Sequence, residues 1–114
     1  MRILLLCLIP FLWSCGPAGP PQPVDPMVQG QRIYFSRCAT CHGRDGRGTL
    51  RGRRYAADFT EKGGVLSRPD AQLSQSVMNG LAGQYGQMPA FKPILTQQQV
   101  EYALAYIRAE LGPK

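Results

Sequence analysis

The chain has 114 residues and a mass of 12.6 kDa, room for one domain and not for a two-domain enzyme. With 44% hydrophobic and 18% charged residues, it is neither a disordered segment nor a protein built mainly of membrane spans. Thirteen Lys and Arg, ten of them Arg, stand against seven Asp and Glu; the net charge of +6 favours acidic partners without naming one. Thirteen Gly and ten Pro point to long irregular connections and to a core that side chains alone fill incompletely.

Arg2 precedes the apolar run from Ile3 to Trp13. The run is too short to cross a bilayer as an ordinary helix and reads as a secretory signal over residues 1–14. Its end, Leu12-Trp13-Ser14-Cys15, resembles the bacterial lipoprotein box, in which a small residue precedes a Cys that is lipidated and becomes the mature N-terminus. The resemblance implies a lipid on Cys15 and attachment to a membrane on its periplasmic side; a plain signal cut elsewhere is the alternative. Residues 15–26 follow as a tether, with five prolines between Gly16 and Pro26 that favour extended backbone and leave no apolar face to bury. At about 3.1 Å per residue this segment spans roughly 30 Å. Residues 27–114 remain for the domain.

With Cys7 in the signal and Cys15 at its end, the domain keeps only Cys38 and Cys41, in the run Cys38-Ala39-Thr40-Cys41-His42. This is C-x-x-C-H, the attachment signature of c-type haem. Two thiols about one helical turn apart can each add to a vinyl group of one porphyrin, and the adjacent imidazole then reaches the iron. Three other readings compete. A disulfide between Cys38 and Cys41 closes too small a loop to constrain the unfolded chain and leaves His42 unexplained. A zinc site finds no further His or unmodified Cys to complete a tetrahedron. A thioredoxin-like pair needs strand and helix alternation, and no apolar alternating strands are visible.

The pattern Gly30-x-x-x-Tyr34-x-x-x-Cys38-x-x-Cys41-His42-Gly43 resembles the opening of the class I cytochrome c fold, and Gly43, Gly46, Gly48 and Gly52 resemble the glycine-rich loop that follows in that family. The likeness runs through Gln87-Met88-Pro89-Ala90-Phe91 to the last helix, over residues 26–112. It implies an all-α fold of about three main helices and irregular loops around one covalent haem, with Cys38 and Cys41 as the thioether residues and His42 as an iron ligand. His42 is the only histidine, so a second imidazole within one chain is excluded, and Met78 and Met88 remain as the other axial candidates. By resemblance Met88 takes that role, the alternative being a Met88 that packs on the haem without ligating it. The family often has Pro after the glycine loop, its carbonyl accepting from the ring N–H of the ligating His. Here Arg53-Arg54-Tyr55 follows Gly52, which leaves the acceptor for His42 open.

The rest is scaffold and charge. Asp70 to Asn79, with Leu73 and Val77 on one face and Gly80 after them, reads as a short amphipathic helix in which Met78 is core filler. Thr96 and Gln99 form a capping box, Val100, Ala103, Leu104, Ile107 and Leu111 recur at helical spacing, and Gly112-Pro113 ends the segment. In the family the last helix crosses the first, which here would bring Gly30 and Tyr34 against the Ala103–Ile107 region. Arg44, Arg47, Arg51, Arg53 and Arg54 crowd one loop beside a single acid, Asp45: either a docking patch for an acidic redox protein or a solvated loop that maintains solubility. Nucleic acid is a poor partner, since no stacking aromatics interleave the arginines.

The expectation is therefore an exported, lipid-anchored one-electron carrier rather than an enzyme. The alternatives are a fixed haem subunit of a larger dehydrogenase or oxidase, and a haem peroxidase or gas sensor with an open distal position.

Overall fold

The computed structural model describes residues 16, 19–50, 56–83 and 86–114. The proposed signal, Cys15, and three of the five loop arginines (Arg51, Arg53 and Arg54) lie outside the described residues.

Residues 19–25 are exposed and carry no regular structure up to Asp25. The Asp25 carboxylate accepts from the Met27 and Val28 N–H groups at 2.8 and 3.4 Å, and Pro26 occupies the first helical turn where its missing donor costs nothing. Helix α1 (Pro26–Ile33) continues through a wide turn, Tyr34–Cys38, into α2 (Ala39–His42). In that turn the Ala39 N–H reaches five residues back to the Tyr34 carbonyl, and the Ser36 hydroxyl donates to the Ile33 carbonyl at 3.2 Å. The four-residue spacing of Gly30, Tyr34 and Cys38 suggests a plain helix running into His42. The extra residue per turn instead rotates the cysteines relative to the Gly30 and Tyr34 face, and such π-turns recur at functional sites.

Helix α3 (Asp70–Asn79) and helix α4 (Gln97–Tyr106, extended by a second wide turn, Ile107–Leu111) complete three main helical segments. Both capping-box bonds at Thr96 form, its hydroxyl accepting from the Gln99 N–H at 3.2 Å and its own N–H donating to Gln99 Oε1 at 2.9 Å. The apolar stripe of α4 is buried as its spacing requires: Val100 is fully covered, and Ala103, Leu104, Ile107 and Leu111 lie in the core with Tyr106.

Gly30 explains how α1 and α4 cross. A Cβ placed there would stand 2.1 Å from the Tyr102 carbonyl oxygen and 2.8 Å from Tyr106 Cβ, so no side chain fits. The helices pack backbone to backbone at this point, and Tyr34, one turn on, sits fully buried with its ring centroid 5.7 Å from that of Tyr106. Arg108 ties the end of α4 to the chain entering α3: its guanidinium donates to the Leu66 and Arg68 carbonyls and pairs with Asp70 at 2.6 Å.

Between α3 and α4 stands a feature that sequence reading describes only as irregular. Strands β1 (Leu81–Gly83) and β2 (Gly86–Met88) form an antiparallel ribbon with Leu81 opposite Met88 and Gly83 opposite Gly86. Three-residue strands, half of whose residues are glycine or alanine, carry no period-two apolar signal, which is why the ribbon escapes detection.

Candidate haem attachment site

A helix ending at His42 leaves its last carbonyls without partners on their own helix. The glycine loop supplies them one by one. Gly43 N–H returns to Ala39 O at 2.8 Å, the Thr49 hydroxyl and N–H take Thr40 O and Cys41 O at 3.1 Å each, and Gly48 N–H takes His42 O at 2.7 Å. The turn is possible because Gly43, Gly46 and Gly48 all have positive φ, between 78° and 86°. The Gly43 carbonyl in turn accepts from the buried Tyr34 hydroxyl at 2.5 Å and, weakly, from Gly46 N–H at 3.4 Å. Burial raises the Tyr34 hydroxyl well above the ordinary phenol range, so it remains a donor.

His42 is thus the last residue of a fully tied helix end, and its ring is fixed as well. Nδ1 lies 3.3 Å from the Ala57 carbonyl, and the ring stacks on Phe59 with centroids 4.5 Å apart and planes 15° from parallel. Phe59 is itself anchored by its N–H to the Gly46 carbonyl at 2.9 Å. A carbonyl can only accept, so Nδ1 carries the proton and Nε2 presents a lone pair. Burial holds the proton affinity of His42 below the ordinary imidazole value, against the opposing pull of the Ala57 bond. Ala57 is therefore the acceptor that the sequence leaves open, a backbone group with no side-chain signature.

Cys38 and Cys41 are free thiols, the first half-buried and the second exposed. Burial, with Cys41 adding, pushes the Cys38 thiol up to about 11. Met88 comes from a different element, the end of β2, yet it packs partly buried against the same core cluster as Cys38. Met78 also touches that cluster from α3, as core filler does. Arg44 and Arg47 are exposed; the Arg44 guanidinium lies 4.6 Å over the Phe35 ring.

The donor chemistry fits a covalently attached haem. Two thiols are spaced along one helical segment, the neighbouring imidazole has Nδ1 tied to the Ala57 carbonyl and keeps the Nε2 lone pair, and a thioether packs on the same core. Among the described residues no group of three or more His, Cys, Asp and Glu side chains gathers to hold a metal ion, so zinc finds no ligand set there. Apart from the ribbon, the described residues contain no strands, so the alternation a thioredoxin-like pair needs is missing from them.

Fold and site together define a c-type cytochrome, a protein that carries covalent haem c with its iron and transfers electrons. A family model described as Cytochrome C oxidase, cbb3-type, subunit III matches residues 25–107, and the chain belongs to that family. Cytochrome c6 from Rippkaea orientalis is 27% identical over 109 residues, spanning 96% of this chain and 93% of that protein. The Cbb3-type cytochrome c oxidase subunit CcoP of Helicobacter pylori is 34% identical over 73 residues, 63% of this chain and 23% of that subunit. Among solved structures, the KustC0563 c-type cytochrome is similar with a TM-score of 0.63 and 26% identity, covering 75% of this chain and 98% of that one.

Replacing Tyr34 with Phe keeps the ring but removes the main donor to a buried carbonyl. The haem-loaded variant is expected to lose about 1–2 kcal/mol in denaturant unfolding; an unchanged midpoint would show that the Gly46 N–H alone satisfies Gly43.

Proposed function

We propose that this chain is a monohaem electron carrier exported from the cytoplasm, with Cys38 and Cys41 as the thioether residues and His42 and Met88 as the axial iron ligands. The observation that carries the reading is the C-x-x-C-H run on a helix end whose carbonyls and imidazole are all held by neighbouring groups. Bound haem supplies one-electron chemistry between ferrous and ferric iron. The chain's own residues do the rest: Ala57 and Phe59 hold the His42 ring, the glycine loop holds the helix end, and Met88 would offer the iron its thioether. Two side chains held in this way by the fold would keep rearrangement small when the haem changes charge.

The charge distribution supports docking of an acidic redox partner. Residues 32–54 hold seven arginines against one acid, an excess equal to the formal net charge of +6 of the whole chain. The excess positive charge therefore coincides in sequence with the attachment segment, and the remainder of the chain is balanced. A lipid on Cys15 and the proline-rich residues 15–26 would hold this carrier near a membrane on the periplasmic side, a reading supported by the Leu12-Trp13-Ser14-Cys15 run. The second reading, a haem subunit fixed within a larger oxidase, is favoured by the family description and by the likeness to CcoP. The near full-length likeness to cytochrome c6 favours the carrier.

Three expected outcomes test this. Met88→Ala lowers the reduction potential by about 0.1 V or more, within the roughly 0.8 V over which axial ligands set it, and the reduced protein then binds carbon monoxide; unaltered ligand spectra would shift the role to Met78. Electron delivery by the carrier in native membranes slows as salt screens its arginines, whereas a rate independent of ionic strength identifies the fixed subunit. Cys15→Ser releases the protein from membranes, and a variant that stays bound is held by another protein instead of a lipid.

A further inference from the structure

The chain leaving α3 reverses at once, forms the ribbon and comes back over the helix end carrying Met88. Gly80, which the sequence marks only as a stop signal, occupies the point where the two passes meet. Its backbone angles, φ 75° and ψ 172°, lie in a region essentially restricted to glycine. A Cβ built there would stand 2.7 Å from the Met88 carbonyl oxygen, 2.8 Å from the Ala90 nitrogen and 3.1 Å from the Pro89 carbonyl carbon. All three are backbone atoms, so no flexible side chain can swing aside to make room.

The returning segment is also pinned on both flanks. Before it, Met88 is paired with Leu81 in the ribbon. After it, Phe91 N–H and Lys92 N–H cap the Val77 and Met78 carbonyls at the end of α3, each at 3.0 Å. Met88–Ala90 can therefore yield to a side chain at position 80 only by breaking ribbon pairing or uncapping α3.

We propose that Gly80 is a positioning residue for Met88: the missing side chain at 80 is the gap over which the Met88–Ala90 backbone runs, and it keeps the thioether where it serves as the sixth ligand. This rests on the reading of Met88 as that ligand. Gly63 provides an internal control. Its φ is 74°, nearly the same as that of Gly80, yet a Cβ there meets nothing within 4 Å. Alanine at 63 adds the backbone penalty alone; alanine at 80 adds the penalty and the displacement.

The experiment compares haem-loaded Gly80→Ala, Gly63→Ala and Met88→Ala by the sulfur-to-iron charge-transfer band of the oxidised protein, the midpoint potential, and carbon monoxide binding to the reduced protein. Gly80→Ala is expected to lose most of the band, to shift the potential in the same direction as Met88→Ala, and to bind carbon monoxide stoichiometrically. Gly63→Ala is expected to lose stability while keeping the band and the potential. A Gly80→Ala protein with the parent band and potential overturns the proposal, as does a Gly63→Ala protein with the same spectral loss. A band that survives Met88→Ala refutes the ligand assignment itself, and the proposal with it. Should Gly80→Ala fail to fold, Lys92→Pro removes one of the two flanking bonds, at a position where the turn accepts Pro. It is expected to weaken the band and speed carbon monoxide binding, and an unaffected band there also overturns the proposal.

Discussion

Everything at the site depends on how one short helix end is satisfied. A helix that stops at His42 presents carbonyls with no partner of their own, and a buried carbonyl left unpaired is costly. The loop from Gly43 to Thr49 is shaped by that requirement, its three positive-φ glycines aiming successive N–H groups back at Ala39, Cys41 and His42. Once the loop is so folded, its Gly46 carbonyl takes the Phe59 N–H, and Phe59 is thereby laid against the imidazole. The orientation of the His42 ring follows from the same hydrogen bonds that end the helix.

The buried aromatics extend this control into the scaffold. Tyr34 stands 6.4 Å from Phe59 and 5.7 Å from Tyr106, and its hydroxyl closes on the Gly43 carbonyl. One residue thus joins the α1–α4 crossing, which Gly30 makes close, to the peptide that follows His42. Dense packing of this kind transmits small shifts, so the crossing and the site behave as one unit.

Much of this was legible in the residues themselves. The Cys38–His42 run, the helix from Asp70 to Asn79, the Thr96 capping box and the apolar stripe of the last helix each have a side-chain pattern tied to a local physical cause. What stayed hidden has no such pattern. The acceptor for His42 is a main-chain oxygen of Ala57, which any residue could offer. The ribbon that carries Met88 is too short and too glycine-rich to alternate, and the wide turn at Tyr34–Cys38 keeps ordinary helical composition. Gly80 reads as a helix stop whether or not another segment runs against it; only the three-dimensional path of Met88–Ala90 gives its bareness a purpose.

The use of a main-chain oxygen at Ala57 bears on how such a loop drifts over evolutionary time. Substitution can change every side chain around that position without deleting the oxygen, provided the strand of chain keeps its course. Side chains in the neighbouring stretch, the arginines of residues 51–54 among them, are thereby free to serve other ends, because the imidazole asks nothing of them.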